Sequence, residues 1–175
     1  MLTDTQRKLI LHWGEMGTKW GINRTVAQIH ALLYLSPEPI HAEEIAATLQ
    51  IARSNVSMSL KELQSWGIVR VEQRLGDRRD YFTTLDDIWE MFRRILAERK
   101  KREIDPTLTM LRQCAMEAQE DGDAATAEKI APMLDFMEQM TAAYEQLDRM
   151  PTATLRRLAQ MSERLNRFLI DLAGK

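Results

Sequence analysis

Residues 53–85 read RSNVSMSLKELQSWGIVRVEQRLGDRRDYFTTL, and this stretch decides the fold of the chain. Val56, Leu60 and Leu63 stand at positions i, i+4 and i+7, which predicts a helix over about residues 53–66 with one apolar stripe. Such a helix buries its stripe in a core and leaves its opposite side in solvent.

The opposite side of this helix carries short polar side chains, a thioether and cations at both ends. Small polar groups can reach base edges in the major groove of DNA, and cations can meet phosphates. The side chains predicted to contact DNA are Arg53, Ser54, Asn55, Ser57, Met58 and Lys61.

A β-hairpin is predicted directly after Gly67, the glycine expected to end the helix. Residues 68–72 and 80–84 are rich in β-branched and aromatic side chains, so they should pair as strands. The Gly76-Asp77 dipeptide between them is expected to form the turn.

Two adjacent arginines, Arg78 and Arg79, follow that turn. A guanidinium at the tip of a hairpin can enter a narrow minor groove or bind the phosphates beside it. Asp77 is expected to pair with Arg79 and fix its direction. The alternative is that the arginines only keep an exposed turn soluble.

A shorter helix is predicted just before this region, over residues 42–49, with Ile45, Ala46 and Leu49 on one face. Helix, brief break, helix and hairpin is the order of a winged helix-turn-helix. Any two amphipathic helices can imitate a helix-turn-helix, but the hairpin that follows favours the winged form. The predicted fold is mainly α with a small β-hairpin wing and additional C-terminal helices for dimerisation.

The sequence in this region resembles MarR-type transcriptional regulators. The segments SNVSMSLKELQSWGIVRVEQRLG and DRRDYFTTL resemble their recognition helix and wing. Two further segments, ALLYLSPEPIHAEEIAATL and WEMFRRILAERKKREIDPTL, resemble the GbsR branch more particularly. The resemblance covers residues 20–108, roughly half of the chain, and implies a homodimeric winged-helix regulator that is usually a repressor.

The resemblance also implies which side chains contact DNA. It assigns Arg78 and Arg79 of the wing to this role. One departure is Ala52, where such proteins often have Ser or Thr capping the recognition helix. On the helix the implied contacts are Arg53, Ser54, Asn55, Ser57 and Lys61.

Charge is distributed unevenly along the 175 residues. Residues 51–102 carry twelve Lys or Arg against eight Asp or Glu, whereas residues 103–150 carry three against eleven. A basic segment beside an acidic one suggests two tasks, one of which faces an anion. The alternative is that both segments are solvated helix faces.

Three regions are expected. Residues 1–22 form an N-terminal helix that joins the dimer interface, 23–102 the DNA-binding domain, and 103–175 a helical dimerisation region. Dimerisation is expected because one winged helix covers only a half-site, and two-fold symmetry matches a palindromic operator. The alternative is an intrachain helical bundle.

Helical periodicity gives the remaining elements of the chain. Pro106 is expected to restart the chain after the basic run at residues 99–102. The C-terminal helices are predicted near residues 107–120, 123–149 and 152–173. The side chains expected to face inward are Leu9, Ile10, Trp13 and Met16 in the first helix and Ile88, Met91, Phe92 and Ile95 after the hairpin.

Other functional classes have weak signals. There is no glycine-rich phosphate loop and no His-Glu-x-x-His motif, so an enzyme, a metal site and a cofactor are not expected. The alternative to DNA binding is a winged-helix module for protein contact. A chain without a signal peptide or an apolar run of membrane-spanning length is expected to be cytoplasmic.

A small-molecule effector is a further possibility. GbsR-like relatives include some that respond to choline-type compounds, and Trp13, Trp20 and Trp89 could contribute to an aromatic cage for a quaternary ammonium. Tryptophans at helical spacing are more often core residues. Cys114 could sense redox state, although its small apolar neighbours favour a half-buried structural thiol.

Overall fold

The computed structural model describes residues 2–161, which form mainly helices and one small sheet. The chain divides into two compact units between Ile95 and Leu96. Residues 152–161 are helical. In chain order, the other elements are α1 (Asp4–Lys19), α2 (Arg24–Leu35), β1 (Ile40–His41), α3 (Ala42–Leu49), α4 (Arg53–Ser65), β2 (Val69–Gln73), β3 (Asp80–Thr84), α5 (Ile88–Arg99), a π-helical turn (Lys100–Ile104), α6 (Asp105–Glu120) and α7 (Ala124–Asp148).

The core of the first unit forms around α4. Val56, Leu60 and Leu63 are 0–2% exposed, which confirms the apolar stripe predicted from their spacing. Ile29 of α2 and Ile45 of α3 are buried in the same cluster. The helix ends as expected at Gly67, whose backbone is left-handed with φ +69°.

The sheet has three antiparallel strands in the order β1-β3-β2. Its hairpin pairs Val69 with Thr84 and Gln73 with Asp80, within one residue of the predicted strands. The short β1 places Ile40 opposite Phe82. A two-residue strand shows no alternation of polar and apolar side chains, which is why the sequence did not indicate β1.

Helix α1 approaches α2 through its glycines. Ile10, Gly14 and Gly17 are the buried residues of α1, whereas Leu9 and Trp13 are each more than one-third exposed. The prediction that Leu9 and Trp13 face inward was therefore wrong for this chain taken alone. Without side chains at two positions, the helix packs most closely along its glycines instead of along its largest apolar residues.

The chain does not break before Pro106. Helix α5 continues through the π-helical turn into α6, so the expected restart at this proline was wrong. Pro106 lies in the first turn of α6, where a missing N–H is tolerated. The wider π-turn just before it accommodates the disturbed hydrogen-bond pattern. On α5, Met91 is buried as expected but Ile88 and Phe92 are exposed, which corrects their inward assignment.

Replacing Gly17 with alanine should destabilise the fold. An added Cβ would lie 2.5 Å from Cβ of Ala27 on α2, so the two helices must separate. Such overpacking costs about 1–3 kcal/mol, against about 1 kcal/mol gained in helix propensity. Urea unfolding should give a lower free energy of unfolding for Gly17→Ala than for the wild type.

Gly14→Ala is the matched control for this substitution. Its added Cβ meets only the side chain of Gln28, which can move aside. Gly14→Ala should therefore be neutral or slightly stabilising. Equal stability of the two variants would contradict the proposed tight crossing of α1 and α2.

Candidate nucleic-acid interface

The solvent-facing side of α4 is the first part of the interface. Because Val56, Leu60 and Leu63 are held in the core together with Ser59, the opposite side of the helix is turned outward. The six predicted side chains are all exposed: Arg53, Ser54, Asn55, Ser57, Met58 and Lys61. The structure thus brings this part of the predicted set together on one helix surface.

The N-terminus of α4 has no side-chain cap, as expected from Ala52. Arg53, the first residue of the helix, instead forms an ion pair with Glu43 of α3. The backbone N–H groups of an uncapped first turn carry partial positive charge that favours anions.

The hairpin forms a compact turn at its tip. Asp77 N donates to the carbonyl of Arg74 at 3.1 Å, and Gly76 takes a φ of +85°. Arg78 is exposed and, within the described part of the chain, has no recorded side-chain partner. Leu75 at the tip is also exposed. No periodic pattern in the sequence indicated an apolar side chain at this place.

Asp77 and Arg79 form the expected pair. Arg79 Nε donates to both carboxylate oxygens of Asp77 at 3.0 Å, and the backbone N–H of Arg79 donates to the same carboxylate. Tyr81 Oη adds a hydrogen bond to Asp77 at 2.8 Å. Hydrogen bonds from Arg79 hold the pKa of Asp77 far below its usual value, so this carboxylate stays ionised.

Arg74, the first residue of the turn, makes further contacts at the tip of the hairpin. Its guanidinium lies 4.1 Å from the centroid of the Tyr81 ring and donates to the carbonyl of Pro39 at 3.4 Å. A cation over an aromatic face is attracted by the ring quadrupole. The only sequence signal for this residue was its place in the basic hairpin.

His41 and Glu43, which precede α4 in the chain, connect this helix to the hairpin. His41 Nδ1 lies 3.0 Å from a Glu43 carboxylate oxygen, and His41 Nε2 lies 3.0 Å from Nη1 of Arg79. Since Glu43 also pairs with Arg53, polar contacts run from the start of α4 to the wing. Neither residue was singled out as a DNA-site candidate, because each looks ordinary within the pattern of a short amphipathic helix.

Comparisons with known proteins agree with this geometry. Residues 20–80 match the model of the MarR family. The HTH-type transcriptional repressor GbsR of Bacillus subtilis (strain 168) is 24% identical over 136 residues, which are 75% of this chain and 75% of that protein. These matches support a MarR-type winged-helix transcriptional regulator that is similar to GbsR. A crystal structure of a transcriptional regulator shares its fold with a TM-score of 0.60 at 17% identity, covering 82% of this chain and 95% of that one.

The family match supports the predicted resemblance within residues 20–80 of the 20–108 segment. The matched family and the matched relative are transcriptional regulators, which is indirect support for the expectation that the chain is not an enzyme. Among residues 2–161, no group of His, Cys, Asp and Glu could hold a metal ion. In the same part of the chain, no helix is long and apolar enough to cross a membrane. Cys114 is a half-buried free thiol on α6.

A second candidate site is an apolar cavity of about 150 Å³ in the first unit. His30 is buried in its wall, and Nε2 has no hydrogen-bond partner within residues 2–161. Burial lowers the pKa of His30 to about 4, so the ring is neutral near pH 7. The lining consists of Leu9, Trp13, His30, Ala31, Tyr34, Ile88 and Met91.

The three candidate cage tryptophans do not line this cavity together. Trp13 is in the wall and meets Trp20 edge to face, with ring centroids 6.2 Å apart. Trp89 lies on α5 and is not among the lining residues. Trp13 and Trp20 are also both exposed, so the alternative that they are core residues is wrong for these two.

The buried histidine predicts how stability depends on pH. Between pH 6.5 and 4 the unfolded chain binds a proton at His30 that the folded chain does not bind. The free energy of unfolding should therefore fall as the pH decreases through this window, by about 3 kcal/mol in total from this group. Urea unfolding of the wild type and of His30→Gln at several pH values measures the difference.

His12→Gln is the control, because His12 is exposed on α1. His30→Gln should have a shallower loss of stability toward acid pH, and His12→Gln should follow the wild type. Parallel curves for the wild type and His30→Gln would contradict the neutral buried state of His30.

Proposed function

We propose that the protein binds duplex DNA sequence-specifically as a homodimer at a palindromic operator and represses transcription. The observation that carries this proposal is the outward polar face of α4 beside a cationic hairpin that polar contacts connect to it. In this arrangement α4 lies in the major groove and the wing lies at the adjacent minor groove. The similarity to a protein named a transcriptional repressor supports repression over activation.

The outward residues of α4 divide the work of recognition. Asn55 has an amide that can donate and accept, which matches the edge of adenine in the major groove. Arg53 and Lys61 provide cations for phosphates at either end of the exposed face. Met58, which is 64% exposed, offers an apolar surface for a thymine methyl group. Ser54 and Ser57 complete the proposed set.

The wing contributes two arginines with different constraints. Arg78 projects into solvent and is proposed to enter the minor groove or bind its phosphates. Arg79 is held by Asp77 yet keeps a half-exposed side chain, so it is proposed to face the DNA backbone in a fixed direction. Its pKa is raised by the hydrogen bond with Asp77, so it remains charged.

The homodimer is proposed from apolar residues that one chain leaves uncovered. In the first unit, Leu9, Ile88 and Phe92 are each more than 40% exposed. In the second unit, Phe136 of α7 is 60% exposed, and several methionines of α6 and α7 are exposed with it. Exposed apolar surface on this scale commonly marks an interface between chains. Two copies related by a two-fold axis would read two half-sites of a palindrome.

A small-molecule effector is proposed for the cavity beside Trp13. The buried neutral His30 can accept one hydrogen bond there, and the rest of the lining is apolar. The ligand class that fits is small and mainly apolar with one hydrogen-bond donor. A ligand in the cavity should change the fluorescence of Trp13. If no compound of this class changes the fluorescence, the effector is removed from the proposal.

Arg78→Ala should weaken binding to all duplexes by a similar factor. Loss of one phosphate contact releases one counterion fewer, so the slope of log K against log salt should fall by about one. Titrations of fluorescent duplexes at several salt concentrations measure this slope. Lys129→Ala is the control, since it removes one exposed cation from α7 in the second unit.

Two outcomes would contradict the proposal. Undetectable binding of the wild type to any duplex at low salt would favour a winged-helix module for protein contact. A mass by light scattering equal to the single 20.3 kDa chain, in place of twice that value, would exclude the dimer.

Asn55→Ala should reduce discrimination between operator and random DNA. A good bidentate contact to a base contributes about 1–3 kcal/mol of discrimination, while non-specific binding depends on phosphates. The operator is first selected from a random duplex pool, and affinities for selected and scrambled duplexes are compared. Gln64→Ala, an exposed amide in the last turn of the same helix, is the control. An unchanged ratio would remove Asn55 from the reading residues.

A further inference from the structure

The contact between the recognition helix and the wing passes through two residues of the preceding segment. His41 is the N-cap of α3, and Glu43 lies in the first turn of that helix. Glu43 Oε1 accepts from Arg53 at the start of α4, and Glu43 Oε2 lies 3.0 Å from His41 Nδ1. The other ring nitrogen, Nε2, lies 3.0 Å from Nη1 of Arg79.

The partners of His41 determine its tautomer. A guanidinium can only donate, so Nε2 accepts from Arg79, and an ionised carboxylate can only accept, so Nδ1–H donates to Glu43. With its hydrogen on Nδ1, the ring cannot also accept from the N–H of Glu44, which lies at a longer 3.3 Å. The ring is further held edge-on to Tyr81, with centroids 5.6 Å apart and planes at 86°. The imidazole thus contacts a carboxylate on one side and a guanidinium on the other.

Within residues 2–161, the contacts through Glu43 and His41 are the side-chain path that joins Arg53 to Arg79. Arg53 starts a helix that lacks a side-chain cap, and its side chain is 70% exposed. Arg79 is fixed within the wing by Asp77, but its link to the helix-turn-helix is the contact with His41. A free arginine side chain samples many rotamers, so partners are needed to fix its direction.

We propose that His41 and Glu43 are positioning residues that set the directions of the Arg53 and Arg79 side chains relative to each other for operator recognition. This inference rests on the proposed DNA binding and adds to it two residues that do not themselves need to touch DNA. A backbone hydrogen bond, the charge of Arg53 and the contact with His41 together lower the pKa of Glu43, so it is an anion at neutral pH.

Because Glu43 is negatively charged, a positioning role and plain repulsion of phosphates predict opposite effects of its removal on operator binding. A carboxylate near DNA repels phosphates, so removing it would strengthen binding to every duplex if Glu43 had no positioning role. A positioning role predicts the opposite for the operator. Loss of the pair frees Arg53, so operator affinity falls relative to scrambled DNA.

The experiment compares Glu43→Gln with Glu44→Gln in the full-length protein. Both changes remove one negative charge from the first turn of α3, but only Glu43 contacts Arg53. Glu44 Oε2 lies 4.0 Å from His41 Nε2, beyond hydrogen-bonding distance. With the selected operator and a scrambled duplex as probes, Glu43→Gln should lower the affinity ratio by roughly fivefold to tenfold, and Glu44→Gln should leave it unchanged. Melting temperatures should stay close to that of the wild type, because exposed ion pairs contribute little to stability.

Two further variants test the pathway of contacts. In an Arg53→Ala background, Glu43→Gln should have a smaller effect on the ratio than in the wild type, because only its contact with His41 remains to be lost. His41→Asn keeps a good N-cap residue for α3 but is too short to reach Arg79, so it should reproduce the loss without unfolding the helix. Equal ratios for Glu43→Gln and Glu44→Gln, or additive effects of Glu43→Gln and Arg53→Ala, would overturn the proposal. A wild type that binds no duplex would instead overturn the proposed function itself.

Discussion

Burial of one side of α4 is the constraint on which the rest of the interface depends. Val56, Leu60 and Leu63 are almost inaccessible to solvent. Full burial of each such side chain contributes about 1.5–3 kcal/mol, so rotating the helix about its axis would forfeit several of these contributions. The core therefore fixes which residues of α4 face outward, and polar side chains on that face need no interaction of their own to hold them there.

The interface contains anions where a purely attractive surface would have none. Asp77 and Glu43 each reduce the pull of the protein on phosphates, yet each holds an arginine in a defined direction. Electrostatic attraction alone binds any sequence equally well. A surface with weaker attraction to phosphates but oriented arginine side chains can discriminate better between DNA sequences. Such discrimination suits a protein that must find few sites among many.

Much of this architecture could be predicted from the sequence. The stripe of α4, the hairpin, the Asp77–Arg79 pair and the missing cap at Ala52 all follow from local spacing or local chemistry. The errors occurred where distant packing decides. Leu9 and Phe92 look like core residues but are exposed in one chain, and Pro106 looks like a break but lies within continuous helix. The contacts of His41 join residues 38 positions apart, which no local pattern encodes.

The π-helical turn at Lys100–Ile104 has a consequence for the evolution of the chain. A π-turn holds about one residue more than an α-turn, and one residue corresponds to about 100° around a helix axis. Losing a single residue there would restore ordinary winding and rotate every later side chain of the helix by that angle. Homologues with a one-residue gap at this point would thus present a different stripe of α6, and alignments that ignore the gap would equate side chains that point in different directions.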